Sequence, residues 1–381
     1  MESFSTSRHV LLLAFVLVLL QSSTVAAWAS SHEVIIDSRI VDWVGMNNLQ
    51  DSLRTLAWEI PGDPDLFGKY FALEKIIELD ETPLIAGIGS LDVDDDGRLL
   101  IGDTQVNAVH LFNASGKHLK TLSQETCQPD FQMRPIRVYF RPQGGILVQN
   151  QTLGLLFSDS GECLERLNTE FRTPRGFCFL GKEGDMIGSY RTQENRSFKL
   201  MEASGKTLSE FEGPTPRLPA FSLRTHLSQQ VVCDRSERIY HVGTFDPVIH
   251  VYDQTGAMVD ELWLQPDPFE PVERDVPEGP DILETIRREG IARDGKAVST
   301  GIYFLNREAF LYVFIHQPPN VRFAFELFSK SGERLVEKQL VTSEHLLMAK
   351  GDRIYFSIQP ATDNGVERNP AIAVFRYRRA D

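Results

Sequence analysis

The stretch Asp92-Val93-Asp94-Asp95-Asp96-Gly97, followed by Arg98-Leu99-Leu100-Ile101-Gly102-Asp103, carries the densest set of potential cation ligands in the chain. Carboxylates stand at loop positions 1, 3 and 5, glycine at 6, an apolar residue at 8 and an acid at 12. This is the spacing of a calcium-binding EF-hand loop, whose oxygens surround a hard cation. The flanking residues argue against that chemistry, because they alternate between apolar and polar and so predict strands where an EF-hand needs helices. With Asp94–Gly97 as a hairpin turn, Asp103 lies six residues along a strand, ~20 Å away at ~3.3 Å each. A ligand at that distance cannot close on the ion. The stretch reads instead as a solvated turn, where Asp and Gly supply the backbone conformations required.

A second group is cationic. Arg134 and Arg137 (QMRPIR), Arg172 and Arg175 (FRTPRG), Arg224 and His226 (LRTH), and Arg293 and Lys296 (ARDGK) recur at intervals along the chain. Converging arginines would suit a carboxylate, phosphate, sulfate or acidic protein loop. Solvated or salt-bridged surface arginines are the plain alternative. A zinc site would need converging histidines, and His226, His316 and His345 show no local ligand spacing. No G-x-S-x-G motif occurs. What these residues can do depends on the elements that hold them.

Those elements repeat. VHLFNASGKHLKTL, GLLFSDSGECLERL, FKLMEASGKTLSEF, IHVYDQTGAMVDEL and FELFSKSGERLVEK share one pattern, two period-2 runs joined by a glycine-containing turn. Each predicts a β-hairpin. The turn glycines are Gly116, Gly161, Gly205, Gly256 and Gly332, at spacings of 45, 44, 51 and 76. Another strand pair precedes each hairpin. Four short strands every ~45 residues is the period of a β-propeller blade. Five units run from Ser90 to about Leu340, and a sixth begins at His345 and stops one strand short. The alternating segment Phe71–Asp80 is available to complete it. The sequence therefore predicts an all-β, six-bladed β-propeller of four-stranded blades, closed by an N-terminal strand that completes the C-terminal blade.

The segment DVDDDGRLLIGDTQVNAVHLFNASGK resembles an NHL-type repeat, with Asp96-Gly97, Asp103, Asn107, Phe112 and Gly116 in the recurring places. The resemblance is good over the first blade, partial in blades two to four and weak in the last two. At whole-chain level the sequence resembles the six-bladed NHL-like propellers of exported bacterial proteins. That family implies a fold far more than an activity, since its members include binding platforms, lactonases and lyases. Propeller lactonases hold a divalent ion through Glu, Asn and Asp at inner-strand ends. The corresponding positions here are Ser90, Arg137, Gly176, Gln229, Ser299 and Glu344, a poor cage for a hard cation. No metal or other cofactor is expected.

In four-stranded blades the first and third turns share one face, and the second turns and inter-blade loops share the other. The second face receives Asp103, Asn107, Gln149, Asn150, Tyr190, Arg191, His316 and the cationic loops. The candidate ligand-binding residues are accordingly Arg134, Arg137, Arg175, Arg224, His226, Asp103, Tyr190 and His316.

Bulk properties bound the rest. Arg8 and His9, the apolar run Val10–Leu20 and the small residues Ala26-Ala27-Trp28-Ala29 read as an export signal over residues 1–29. Eleven apolar residues are fewer than the roughly 20 that span a bilayer. No cysteine near the cleavage site would take a lipid, so a secreted or periplasmic monomer is expected, without an integral membrane span. Residues 30–70 form an N-terminal extension and 71–381 the propeller. A proline-rich insertion at 263–300, with a helical run from Asp281, is a candidate lid or docking element. Lys+Arg of 39 against Asp+Glu of 53 gives −14, which argues against nucleic acid as the main partner. Four cysteines, Cys127, Cys163, Cys178 and Cys233, leave both free thiols and a bridge open. The favoured function is a module binding a protein or a small anionic or carbohydrate ligand through the inter-blade-loop face. The alternative is a metal-dependent, lactonase-like hydrolase or a lyase with its site at the channel mouth.

Overall fold

A computed structural model describes residues 64–123, 125, 133, 135, 137–150, 153–167, 176–191, 196–213, 231–234, 238–243, 247–266, 288, 296–306, 308–316, 322–342, 346–358 and 368–378. All of them lie within one compact unit, Arg39–Asp381. The signal-peptide and most of the extension assignments, and most of the insertion, lie outside the described residues.

Within that unit the chain enters through a short helix, α1 (Pro64–Tyr70), and passes directly into β1 (Phe71–Ile77). Blade 1 follows as β2 (Ile88–Val93), β3 (Leu99–Asp103), β4 (Ala108–Phe112) and β5 (His118–Thr121). Blade 2 is β6 (Arg137–Phe140), β7 (Ile146–Gln149), β8 (Gly154–Phe157) and β9 (Cys163–Arg166). Blade 3 is β10 (Gly176–Leu180), β11 (Asp185–Arg191), β12 (Arg196–Met201) and β13 (Thr207–Gly213). Blade 4 is β14 (Val231–Cys233), β15 (Ile239–Val242), β16 (Val248–Tyr252) and β17 (Met258–Trp263). Blade 5 is β18 (Ala297–Leu305), β19 (Ala309–His316), β20 (Arg322–Ser329) and β21 (Leu340–Thr342). Blade 6 is β22 (Leu346–Lys350), β23 (Arg353–Ile358) and β24 (Ala371–Tyr377), with β1 as its outer strand. Every pairing within these sheets is antiparallel, and β1 pairs β24 from Phe71↔Tyr377 to Ile77↔Ile372.

The second strand of each blade is mainly apolar because both its faces are covered. In β3, Leu99 and Ile101 join the cluster shared with blade 6, while Leu100 joins the one shared with blade 2. Six such clusters fill the six seams between neighbouring blades, so the seams form a closed circuit. The seam between blades 5 and 6 also takes α1. Phe67 lies 5.3 Å from Phe375 and 6.1 Å from Phe325, both edge-on, an arrangement aromatic rings prefer.

The repeated hairpin turns are built alike. Gly116 donates to Asn113 O at 3.0 Å, and Asn113 N donates to Lys117 O at 2.9 Å. Gly116 has a φ of +86°, and a Cβ there would stand 1.9 Å from Glu78 O, so only glycine fits. Gly161, Gly205, Gly256 and Gly332 repeat the positive φ. Blade 5 departs from the expected hairpin. After Gly332 the chain makes only an isolated bridge, Phe328↔Arg334, and the outer strand starts late, at Leu340. Asn369 secures the crossing from blade 6 to blade 1, accepting from Ile85 N at 2.6 Å and donating to Pro83 O at 2.7 Å.

One disulfide, Cys178–Cys233, joins β10 to β14, the inner strands of blades 3 and 4, and Cys163 is disulfide-bonded as well. No described helix is long and apolar enough to cross a membrane.

Candidate ligand-binding face

The carboxylates of the opening motif are used by the blade itself. Asp92, buried on β2, accepts from Val93 N at 2.8 Å and Phe140 N at 2.7 Å, and pairs with Lys350 Nζ at 3.3 Å. Lys350 also donates to Val93 O. Burial pushes the Asp92 carboxyl up, and Lys350 opposes that. Asp94 accepts from Arg98 N and pairs with Arg98 Nε at 2.5 Å, and Arg98 lies over the Phe140 ring. Asp95 and Asp96 are exposed at the tip of the turn.

Asp103 stands at the opposite end of β3, on the inter-blade-loop face. It is fully buried, and its two oxygens accept from Ala86 N at 2.7 Å, Gln105 N at 2.9 Å and Val106 N at 3.1 Å. It therefore shapes the loop into blade 1 and the turn out of β3. Tyr190, on β11, is also buried. Its hydroxyl faces Met201 Sδ at 3.5 Å, Lys199 Nζ lies 5.6 Å from its ring, and burial pushes its hydroxyl pKa up.

Arg137 is the most informative of the predicted residues. It opens β6, the inner strand of blade 2, opposite the fully buried Gln149. Alternate residues on a strand point the same way, and two positions on stands Tyr139. Tyr139 packs against Phe177 of blade 3 at 4.9 Å, and its hydroxyl pKa is raised by burial and opposed by Arg137. Tyr303, on β18 of blade 5, is pushed up to about 12 by burial, and the same Arg137 acts against that shift while Tyr139 adds to it. Blades 2 and 5 face each other across a ring of six, so these side chains lie toward its axis, with Arg137 at the inter-blade-loop end of its strand and Tyr139 and Tyr303 in the half nearest the first turns.

Three hydroxyls on the inner two strands of other blades lack partners. The Oγ atoms of Ser90, Ser189 and Ser299 are buried with no hydrogen-bond partner among the described residues. Ser90 and Ser299 are on the inner strands of blades 1 and 5. Ser189 is opposite Gly176, the equivalent position in blade 3. Buried polar groups normally carry partners, so these three hydroxyls are donors and acceptors that the described framework does not use.

Arg134, Arg175, Arg224 and His226 lie outside the described residues, as do Gln229 and Glu344. His316 ends β19 on this face, but its side chain is outside the description. The sequence did not single out Tyr139 and Tyr303. Their signal was the two-residue step along an inner strand, which places Tyr139 on the Arg137 side. Among the described residues no three His, Cys, Asp or Glu side chains group to hold a metal ion.

No family model matches the chain, and no curated protein matches it. Solved structures do. A member of the DUF4221 family from Bacteroides vulgatus superposes with a TM-score of 0.55 at 13% identity, covering 81% of this chain and 98% of that one. A protein from Bacteroides fragilis described as exported gives 0.53 at 11% identity, with 81% and 95% covered. A catalytically inactive variant of virginiamycin B lyase from Staphylococcus aureus with quinupristin gives 0.51 at 15% identity, with 80% and 99% covered. At these identities the likeness is one of fold, that of the six-bladed β-propeller.

Proposed function

We propose that this protein is an exported, NHL-like propeller that binds a small anionic or carbohydrate ligand, or an acidic loop of a partner protein, at its inter-blade-loop face. The observation that carries the reading is the Arg137 cation, which opens its inner strand on that face and acts on Tyr139 and Tyr303 further along the axis, with the unpartnered Ser90 and Ser299 hydroxyls on the inner strands of blades 1 and 5. A guanidinium supplies paired donors to a carboxylate or phosphate, and hydroxyls complete the coordination of sugar or carboxylate oxygens. In this reading Arg134, Arg175, Arg224, His226 and His316 add donors from the surrounding loops and strand ends, while Asp103 and Tyr190 hold the framework of that face.

A thermal-shift panel of carboxylates, phosphates and sugars tests the proposal. At least one class should raise the Tm of the wild-type protein, and Arg137→Ala and Arg224→Ala should each abolish that rise. Unchanged shifts in Arg137→Ala refute the site. A stoichiometric metal whose removal by EDTA lowers the Tm would replace the binding reading with the hydrolase or lyase one.

A further inference from the structure

Outer strands of propeller blades are open sheet edges, and an open edge invites pairing with another chain. Short strands, lysines and mid-strand bulges discourage it. Most of this ring is protected in those ways. The outer strands of blades 1 and 2, β5 and β9, have four residues each and carry Lys120 and Arg166. That of blade 5, β21, has three. That of blade 6, β1, is longer, but it is bulged between Leu73 and Lys75 and bears a lysine.

Blades 3 and 4 are built differently. The outer strand of blade 3, β13, has seven residues without lysine, arginine or proline, but its one exposed large apolar side chain is Leu208, at 52%, and Lys199 of the neighbouring strand pairs with its Glu210 at 3.4 Å. Blade 4 offers more. Its outer strand β17, MVDELW, has six residues and neither lysine, arginine nor proline. Its one irregularity lies at the hairpin end, beside Tyr252. Three large apolar side chains on it face solvent, Met258 at 57%, Val259 at 49% and Trp263 at 58%. Leu264 N bonds inward to Pro247 O. Antiparallel alternation therefore turns the backbone N–H and C=O of Val259, Glu261 and Trp263 outward. The charges on the strand, Asp260 and Glu261, are both acidic, and the chain as a whole is at −14. Among the described residues Glu261 pairs with the neighbouring His250, at 3.3 Å.

We propose that β17 is a docking edge that takes an extended, basic segment of a partner protein as a fifth strand of blade 4. Backbone hydrogen bonds to Val259, Glu261 and Trp263 would supply pairing, the exposed apolar side chains contact area, and Asp260 and Glu261 the preference for lysine or arginine. The rim of the ring would then recruit a protein independently of the inter-blade-loop face.

A capped octapeptide alternating lysine and valine serves as the probe, titrated into the full chain by calorimetry. Saturable one-to-one binding is expected. Trp263→Ala and Glu261→Lys should each weaken it at least about tenfold with unchanged Tm. Asp95→Lys, which removes an exposed carboxylate on a hairpin turn far from β17, should leave it within about twofold. The same peptide N-methylated at alternate residues, with its side chains intact, should not bind. Equal losses in Glu261→Lys and Asp95→Lys would reduce the effect to bulk charge and overturn the proposal. So would undiminished binding of the N-methylated peptide. Self-association of the unliganded protein that Trp263→Ala abolishes would assign the edge to a second copy instead.

Discussion

At the tips of the repeated hairpins, on the face of the first and third turns, polar side chains close hydrogen bonds within a few residues of themselves. Asn113 Oδ1 accepts from Ser115 N and Lys117 N, Asp253 Oδ1 from Thr255 N and Ala257 N, and Ser329 Oγ from Glu333 N. On the opposite face the polar groups are more deeply buried, and they either bind backbone on both sides of a loop or lack a partner among the described residues. Asp103 reaches back to Ala86 across the loop, whereas Ser189 and Ser299 reach nothing among the described residues. Those hairpin tips close on themselves. The loop face has one part that serves the framework and another that the described framework does not use, and the proposed ligand would meet the second part.

Mutations can separate these parts. The largest loss belongs to neither face: replacing both Cys178 and Cys233 by alanine removes the tie between blades 3 and 4. With the cysteines 55 positions apart in sequence, chain entropy puts the cost at about 4 kcal/mol, read by urea denaturation. Asp103→Ala, on the loop face, strips acceptors from three backbone N–H groups and should cost about 3 kcal/mol in the same measurement. On the turn face, Gly116→Ala forces a side chain into the left-handed region and against Glu78 O, for about 2 kcal/mol.

A smaller effect follows from pH. The Arg353 hydrogen bond holds Glu74 below its ordinary value of 4.5, so its contribution is present above that pH and is lost as the pH falls through the lowered folded value. Both groups are near the surface, so the loss should be a few tenths of a kcal/mol and should shrink in Arg353→Ala, which leaves Glu74 paired with Arg376. Smallest of all is Ser299→Ala, expected to leave stability unchanged because an unpartnered hydroxyl is removed. Its ligand-induced Tm rise should nevertheless shrink. A cost near that of Asp103→Ala would erase the distinction drawn between the two parts of the loop face.

The blade period was legible because each hairpin repeats a glycine that the turn cannot replace, and each strand repeats an alternation that burial enforces. Ring closure was legible for the same reason: FALEKII alternates, and the sixth blade lacked a strand. The face assignments followed from topology, and Asp92 and Asp103 do lie at opposite ends of their strands. What stayed hidden was three-dimensional. The Asp92–Lys350 pair joins residues at opposite ends of the propeller's sequence, and so does the contact of Asn369 with Pro83 and Ile85. That Arg137, Tyr139 and Tyr303 lie toward one axis depends on two blades standing across it, which no local pattern encodes. The partners of Asp103 are backbone N–H groups, and these leave no trace in residue type.

The pairing of β1 with β24 has a consequence for synthesis. β1 is the first strand of the ring to be made, and the strand it pairs with is the last. Throughout translation Phe71 and its neighbours have no sheet to join, and the blade 5–6 seam around Phe67, Phe325 and Phe375 stays unfilled. A product that stops short of Ala371 keeps that apolar surface exposed at its leading end. The molecule thus carries a built-in check on its own completeness, because only a finished chain can hide its first strand.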